Sequence, residues 1–126
     1  MNQKQTLRCG SALGLLGVAL GAFGAHALKP IWAENGRADT YELAVRYQFY
    51  HALALLLTGI LMEKLGLPVL RWASVLFLGG VVLFSGSLYL FALTNVTAFA
   101  MITPLGGLFL LAGWGALGYA LVRKTN

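Results

Sequence analysis

Charged residues are scarce in this sequence. Only 10% of the 126 residues are charged, and Asp and Glu together number four. A soluble domain carries about 25% charged and about 45–50% apolar residues, whereas 59% of this chain is hydrophobic. This composition argues against a water-soluble, disordered or collagen-like protein and favours a small integral membrane protein.

Cysteine is almost absent, and this limits the possible chemistry. The single cysteine, Cys9, excludes an internal disulfide, a disulfide framework and a multi-cysteine metal site. His26 and His51 are of a type that binds copper or zinc. We expect no carboxylate or thiolate at a matching depth, so no metal site is predicted.

Motifs for catalysis and for cofactors are also missing. Ser, His and acidic residues occur, but not at the spacing of a nucleophile elbow or a catalytic triad. No glycine run follows a strand and precedes Lys-Ser or Lys-Thr, as a phosphate-binding loop requires. We therefore expect a non-enzymatic protein with no catalytic residue and no cofactor.

The net charge of +5 does not indicate a nucleic-acid partner. The Lys and Arg residues are scattered between apolar runs and form no basic stripe. They are better interpreted as signals of membrane orientation, and the lipid bilayer is the expected partner.

Long apolar runs are what the sequence has in quantity. A helix that crosses a bilayer needs about 20 apolar residues. Four such runs predict an all-α bundle of four transmembrane helices in a single domain, residues 1–126. The predicted spans are residues 9–28, 41–62, 69–93 and 98–122. An alternative for the first run is a secretory signal peptide with cleavage after 25–27, but its apolar part is longer than the usual 7–15 residues.

Local signals set the expected helix boundaries. Asp39 has the character of an N-cap with Glu42 as its capping-box partner. Glu42 and Arg46 have the i,i+4 spacing of a helix-surface ion pair. Gly66 and Pro68 are stop signals for the second long helix.

The start of the last helix has two interpretations. Thr103 and Pro104 suit the N-cap and the first helical position. Alternatively, the helix begins near Thr97 and is kinked at Pro104. We favour the kinked helix because residues 98–102 are too apolar for a solvated loop.

The distribution of Lys and Arg predicts the orientation. Cytoplasmic loops carry an excess of these residues. Lys29, Arg37 and Arg46 fall on one side of the predicted bundle. The other side holds twice as many and places both termini in the cytoplasm: Lys4, Arg8, Lys64, Arg71, Arg123 and Lys124.

Glycines in the first span recur with alternating spacings of four and three residues. This pattern lines one helix face, where small residues let two helix backbones approach closely. The pattern predicts tight packing without saying whether the partner is in the same chain or in a second copy. The stripe consists of Gly10, Gly14, Gly17, Gly21 and Gly24.

Polar residues from all four spans are predicted to meet in the outer half of the bundle. His51 lies about 16 Å above Met62 at a rise of about 1.5 Å per residue, near mid-bilayer. A charged imidazolium there would be costly to desolvate, so we expect a neutral His51 bonded to a hydroxyl or amide. The predicted cluster consists of His26, Arg46, Tyr47, Gln48, His51, Ser85, Ser87 and Thr103.

This cluster leaves two functions open. Ionisable residues inside a membrane indicate function by default, but polar side chains also join helices by hydrogen bonds. The first hypothesis is a structural or interaction role, with self-association into a homo-oligomer. The alternative is a small transporter or channel that handles a proton, an ion or a small solute.

Several motifs in order resemble a known family. They are GAFGAH at 21–26, YQFYHALA at 47–54, FSGSLY at 84–89, ITPLGG at 102–107 and GW at 113–114. Together they resemble the YgdD/transmembrane protein 256 family, a family of unknown function, over nearly the whole chain. The resemblance implies a small bacterial inner-membrane protein with four helices, and it implies no reaction, substrate or ligand.

Overall fold

Helices make up nearly all of the chain in a computed structural model, which describes residues 1–125 without the side chain of Thr125. No strand occurs in that range, so the prediction of an all-α protein is confirmed. Asn126, the last residue of the expected domain, lies outside the described residues. The helices are α1 (Gln3–Ala25), α2 (Lys29–Asn35), α3 (Ala38–Leu65), α4 (Val69–Thr94), α5 (Thr97–Ala100) and α6 (Thr103–Thr125).

Left-handed residues end three of the helices. Gly36, Gly66 and Asn95 follow α2, α3 and α4 with φ of 68°, 63° and 57°. Glycine adopts this conformation without a Cβ penalty, and asparagine adopts it more readily than most other residues. The prediction that Gly66 ends the second long helix is confirmed.

The expected cap of α3 is wrong in detail. The helix begins at Ala38, and its N-cap residue Arg37 makes no side-chain capping bond. Asp39 lies in the first turn instead, where a negative charge interacts favourably with the helix dipole. The ion pair between Glu42 and Arg46 is present, with a distance of 3.3 Å from Oε2 to Nη2.

The last long helix is interrupted before its proline and does not run through it as a kinked helix. The turn at residues 101–102 separates α5 from α6, and Pro104 is the second residue of α6. Proline has no N–H to donate and clashes with the carbonyl four residues earlier. The interruption therefore falls where a continuous helix would lose a hydrogen bond.

The connection between α1 and α3 contains the short helix α2, which the polar composition of this segment did not predict. The indole N–H of Trp32 in α2 donates to the Gly24 carbonyl at 2.8 Å. The Asn35 amide donates to the Ala92 carbonyl at 2.8 Å. The short helix thus ties the end of α1 to the end of α4, and we call this end of the molecule the α2 end.

The four long helices pack in chain order. The main contacts join α1 to α3, α3 to α4, and α4 to α6. An apolar core lies between α3, α4 and α6, with Leu55, Phe77 and Leu117 among its buried residues. The arrangement is a row of antiparallel neighbours whose central helices are α3 and α4.

Three stretches of the described chain are long and apolar enough to cross a membrane. They are Gln3–Ala25, Val69–Thr94 and Thr97–Lys124. The remaining expected span, 41–62, lies within α3, which carries charged residues near both ends and is not among the three. The fold is thus an all-helical chain with at least three membrane-capable segments.

Candidate functional site

The expected polar cluster does not form one site. His26 is exposed just after α1, and its side chain makes no hydrogen bond with the residues that the structure describes. The Arg46 side chain is also exposed, and within the described residues its one polar partner is Glu42. The six other residues belong to separate contacts between different pairs of helices. Gln48 bonds to α1 and α4, Ser85 bonds to α3, and His51 bonds to α6. Ser87 pairs with Thr103 between α4 and α6, and Tyr47 lies beside His51.

Gln48 is the junction of three helices on the α1 side. Its side chain is 3% exposed. The amide nitrogen donates to the Leu13 carbonyl of α1 at 2.9 Å. The hydroxyl of Tyr89 in α4 donates to the amide oxygen at 2.6 Å. One side chain of α3 therefore links α1 to α4.

Two further hydroxyls donate to backbone carbonyls of neighbouring helices. Tyr41 in α3 bonds to Leu20 of α1 at 2.6 Å. Ser85 in α4 bonds to Ala44 of α3 at 2.7 Å. Helix carbonyls keep a second lone pair free for such bonds. These contacts join adjacent helices and pair both hydroxyls.

His51 faces α6, and its ring nitrogens are both in hydrogen bonds. Nδ1 lies 2.6 Å from the Tyr47 carbonyl, and the indole N–H of Trp114 donates to Nε2 at 3.0 Å. An indole can only donate, so Nε2 is the acceptor and the proton is on Nδ1. This is the hydrogen bonding of a neutral imidazole, as expected near mid-bilayer. The expected partner, a hydroxyl or amide side chain, is wrong, because Trp114 takes that place.

Ser87 and Thr103 connect α4 to the start of α6. Their hydroxyl oxygens are 2.6 Å apart. Ser87 also donates to the Phe84 carbonyl at 2.9 Å, so Thr103 is the donor between the two hydroxyls. The pair holds the beginning of α6 beside α4.

Every buried polar side-chain atom in the described part of the chain has a hydrogen-bond partner. In the same residues, no three His, Cys, Asp or Glu side chains lie close enough together to hold a metal ion. Some of these groups bond within their own helix, as Thr58 does to Ala54, and others connect two helices, as Gln48 and Ser85 do.

A groove lies beside His51, between α3 and α6. It has a volume of about 630 Å³, and Phe84 of α4 contributes to its lining. The residues from α3 are Tyr47, Tyr50 and His51. The residues from α6 are Pro104, Gly107, Leu108, Leu110, Leu111 and Trp114.

The glycines of α1 face α3. A Cβ built on Gly10 would lie 3.0 Å from the Ala52 carbonyl oxygen, and one on Gly17 would lie 3.3 Å from Phe49 Cδ2. A Cβ on Gly24 would overlap the ring of Tyr41. The other two, Gly14 and Gly21, would meet α3 side chains at 4.0 Å and 3.4 Å.

Comparison with known proteins gives the family. Residues 20–107 match a family model described as "Protein of unknown function (DUF423)". The chain belongs to this family. It is 42% identical to the UPF0382 membrane protein SH2409 of Staphylococcus haemolyticus, over 83% of this chain and 84% of that protein. It is 40% identical to the UPF0382 inner membrane protein YgdD of Escherichia coli K12, over 87% and 83% of the two chains.

A third relative extends the same comparison. The UPF0382 membrane protein YwdK of Bacillus subtilis is 38% identical over 90% of this chain and 93% of that protein. No solved structure matches the chain. The family resemblance noted in the sequence is confirmed, and this DUF423 chain is a membrane protein of a family without an established activity.

The sequence pattern missed several residues that matter in the structure. Trp114 occurs in a motif shared with the family, but nothing in its spacing indicates a bond to His51. Gly80 lies at the α4–α6 contact, where a Cβ would overlap Leu110 of the other helix. The seven-residue spacing of Gly106 and Gly113, like that of the α1 stripe, is the signal that indicates a packed face of α6.

Proposed function

We propose that this DUF423 protein is a non-enzymatic protein of the bacterial inner membrane with a structural or interaction role. The observation that carries the proposal is the internal pairing of its buried polar side chains. A transport path needs polar groups that exchange partners with a solute or with water. In the described part of this chain those groups bond to carbonyls of their own helix or to groups of neighbouring helices.

His51 would be central to the alternative, transport of a proton. Its Nε2 accepts from Trp114, and its Nδ1 donates to Tyr47 of the same helix. A proton can bind Nε2 only after the indole bond breaks. The hydrogen bonding thus supports His51 as a fixed contact between α3 and α6.

Proton flux distinguishes the two functions. Purified protein is reconstituted in liposomes that contain a pH-sensitive dye, and a pH gradient is imposed across the membrane. We expect the gradient to decay at the rate seen in protein-free liposomes, because both ring nitrogens of His51 are held in hydrogen bonds. Both the wild type and His51→Leu should give this result.

A matched variant makes the measurement specific. His26→Leu changes the exposed histidine that lies outside the helix contacts. A wild-type leak that His51→Leu abolishes and His26→Leu retains would overturn the structural function and establish the proton pathway.

We further propose that four helices cross the membrane, with α3 as the fourth. The contacts between α3 and α1 extend along the whole of α1, from Gln3 beside Glu63 to Gly24 beside Tyr41. Residues 47–62 contain no Asp, Glu, Lys or Arg. If α1 spans the bilayer, a helix packed along its full length spans it too.

The surface of α3 supports the same proposal. Its buried residues include Gln48, His51 and Thr58, whereas Leu53, Leu57 and Ile60 are exposed. A soluble helix bundle places its apolar residues inside and its polar residues outside. Polar residues that face the bundle, with leucines and isoleucine facing out, fit a helix surrounded by lipid.

Charge distribution supports an orientation with both termini in the cytoplasm. Substituted cysteines at the two ends of α3 test it in a Cys9→Ser background. Glu34→Cys and Lys64→Cys place the thiol at exposed positions before and after α3. On intact cells, an impermeant thiol reagent should label Glu34→Cys and should reach Lys64→Cys only after permeabilisation.

The other labelling patterns have clear meanings. Labelling of Lys64→Cys alone would reverse the orientation. Labelling of both positions from the same side would show that α3 does not cross. The unsubstituted Cys9→Ser protein reports background labelling.

Self-association is a separate proposal. The glycine stripe of α1 is occupied by α3 of the same chain. Copies that associate would have to use apolar side chains that face outwards, such as Leu15 and Val18 of α1. Mass measurement of the protein in detergent checks this proposal.

A further inference from the structure

The groove between α3 and α6 contains two tyrosine hydroxyls that take no part in the hydrogen bonds between the helices. Tyr47 and Tyr50 line it, and neither hydroxyl bonds to any of the residues that the structure describes. The Tyr47 ring is stacked on Phe84 with centroids 4.5 Å apart. A hydroxyl in an apolar environment costs free energy unless an acceptor is supplied.

The position of these hydroxyls along the bundle indicates what meets them. Tyr47 and Tyr50 lie in the half of α3 nearer the α2 end, and helix side chains lean toward the N-terminus of their own helix. The hydroxyls therefore lie toward the membrane surface at the α2 end. The groove continues from Pro104 toward Trp114, which is in the middle of α6.

The volume of the groove is small compared with that of a second helix. A helix about 10 Å across would fill about 630 Å³ with only about 8 Å of its length, or about five residues. A membrane-spanning helix of another copy is several times longer. An occupant that lies inside the groove and satisfies the tyrosine hydroxyls is thinner than a helix, largely apolar, and able to accept a hydrogen bond at one end.

We propose that the groove binds one acyl chain of a glycerophospholipid. The chain lies along Gly107, Leu111 and Trp114, and the ester carbonyl accepts a hydrogen bond from the Tyr47 or Tyr50 hydroxyl. The ester groups of a bilayer lipid lie at the boundary between hydrocarbon and headgroups, and these hydroxyls are directed toward that boundary at the α2 end. This site goes beyond the structural function and does not rest on it.

Gly107 offers a direct way to close the site. A Cβ there would lie 3.9 Å from Phe84 Cδ2, which is ordinary van der Waals contact, so a side chain can extend into the groove. Gly118 is the matched control on the same helix, because a Cβ there has nothing within 4 Å and the residue does not line the groove.

The binding experiment uses full-length protein in detergent, stripped of lipid and titrated with dioleoyl-phosphatidylcholine. This zwitterionic lipid has no net charge, so the Lys and Arg residues do not attract it as they attract an anionic one. Native mass spectrometry should detect a single retained lipid on the wild type and on Gly118→Leu. Gly107→Leu should weaken binding roughly tenfold or more, because its side chain takes the volume of the acyl chain.

An ether-linked analogue of the same lipid tests the hydrogen bond. It keeps the hydrocarbon chains and lacks the ester carbonyls. The double variant Tyr47→Phe/Tyr50→Phe keeps both rings and should lose roughly two- to tenfold affinity for the ester lipid. Its affinity for the ether lipid should equal that of the wild type, because the hydroxyls then have no acceptor to lose.

Each remaining outcome contradicts the proposal. Equal lipid retention by the wild type and Gly107→Leu would show that the lipid lies elsewhere. Equal effects of the tyrosine substitutions on the affinity for the ester and ether lipids would show that the hydroxyls do not bond to the ester carbonyl. A wild-type dimer that Gly107→Leu dissociates would identify a second copy as the occupant. Because the tyrosine variants retain the packed rings, they remain informative if Gly107→Leu fails to fold.

Discussion

Gly106→Ala is expected to destabilise the protein strongly by separating α6 from α4. A Cβ on Gly106 would lie 2.7 Å from Phe84 Cα and 2.8 Å from the Leu83 carbonyl carbon, and it would overlap the Phe84 amide nitrogen. These are backbone atoms of α4, which cannot rotate away as the end of a side chain can. Overpacking of this kind typically costs about 1–3 kcal/mol, and a collision with backbone belongs at the upper end.

The neighbouring glycine supplies the control for this prediction. Gly107→Ala adds the same methyl group one residue later, where the nearest atom is 3.9 Å away. Alanine also favours a helix over glycine by up to about 1 kcal/mol. Gly107→Ala should therefore unfold at the same SDS concentration as the wild type or at a higher one.

Unfolding of the purified protein in mixed micelles, followed by circular dichroism, measures both variants. Gly106→Ala should unfold at a clearly lower fraction of SDS. Equal midpoints for Gly106→Ala and Gly107→Ala would mean that α4 and α6 do not approach each other as closely as described.

The helices of this protein could be predicted from sequence because their signals are local. Gly66 ends α3 through its own conformation, and Glu42 meets Arg46 through the helix spacing alone. The helix of residues 29–35 escaped prediction because seven residues are too few to show an apolar period. Its stability comes from bonds to distant residues, such as that of Asn35 to Ala92.

The polar cluster was only partly predictable because the sequence indicates the depth of each residue along its helix and does not indicate the neighbour that its side chain faces. Gln48 and His51 are at similar heights in α3, so their depths suggested a common site. In the structure, Gln48 bonds to α1 and α4, whereas His51 bonds to Trp114 of α6. Which neighbour each side chain meets depends on the rotation of the helix and on the order in which the helices pack. Neither is encoded in the spacing of residues along one helix.

The same reasoning separates the glycines by their partners. Sequence spacing placed Gly10, Gly17 and Gly24 on one face, and they do share the face toward α3. Gly115 and Gly118 of α6 are also glycines in a long helix, yet a Cβ on either would meet nothing within 4 Å. A small residue thus indicates close packing only where the structure brings a second helix to its face.

Gln48→Leu is expected to destabilise the contact of α1, α3 and α4. The substitution removes the donor to the Leu13 carbonyl and the acceptor for the Tyr89 hydroxyl at a site that is almost fully buried. A buried group left without its partner costs about 1–3 kcal/mol in soluble proteins. Hydrogen bonds between membrane helices average about 0.6 kcal/mol, so we expect a loss of about 1–2 kcal/mol for the two bonds together.

A double-mutant cycle with Tyr89→Phe tests whether this cost arises from the bond. Tyr89→Phe removes the hydroxyl and leaves the ring against Tyr41, whose centroid is 5.2 Å away. In the Gln48→Leu background the hydroxyl has already lost its acceptor, so removing it should cost little and can restore stability. Phe49→Leu, at the next position of α3 and partly exposed, is the control for substitution by leucine. Strictly additive losses in SDS unfolding would show that Gln48 and Tyr89 act independently. A double variant no less stable than Gln48→Leu would establish that the Gln48–Tyr89 bond couples α3 to α4.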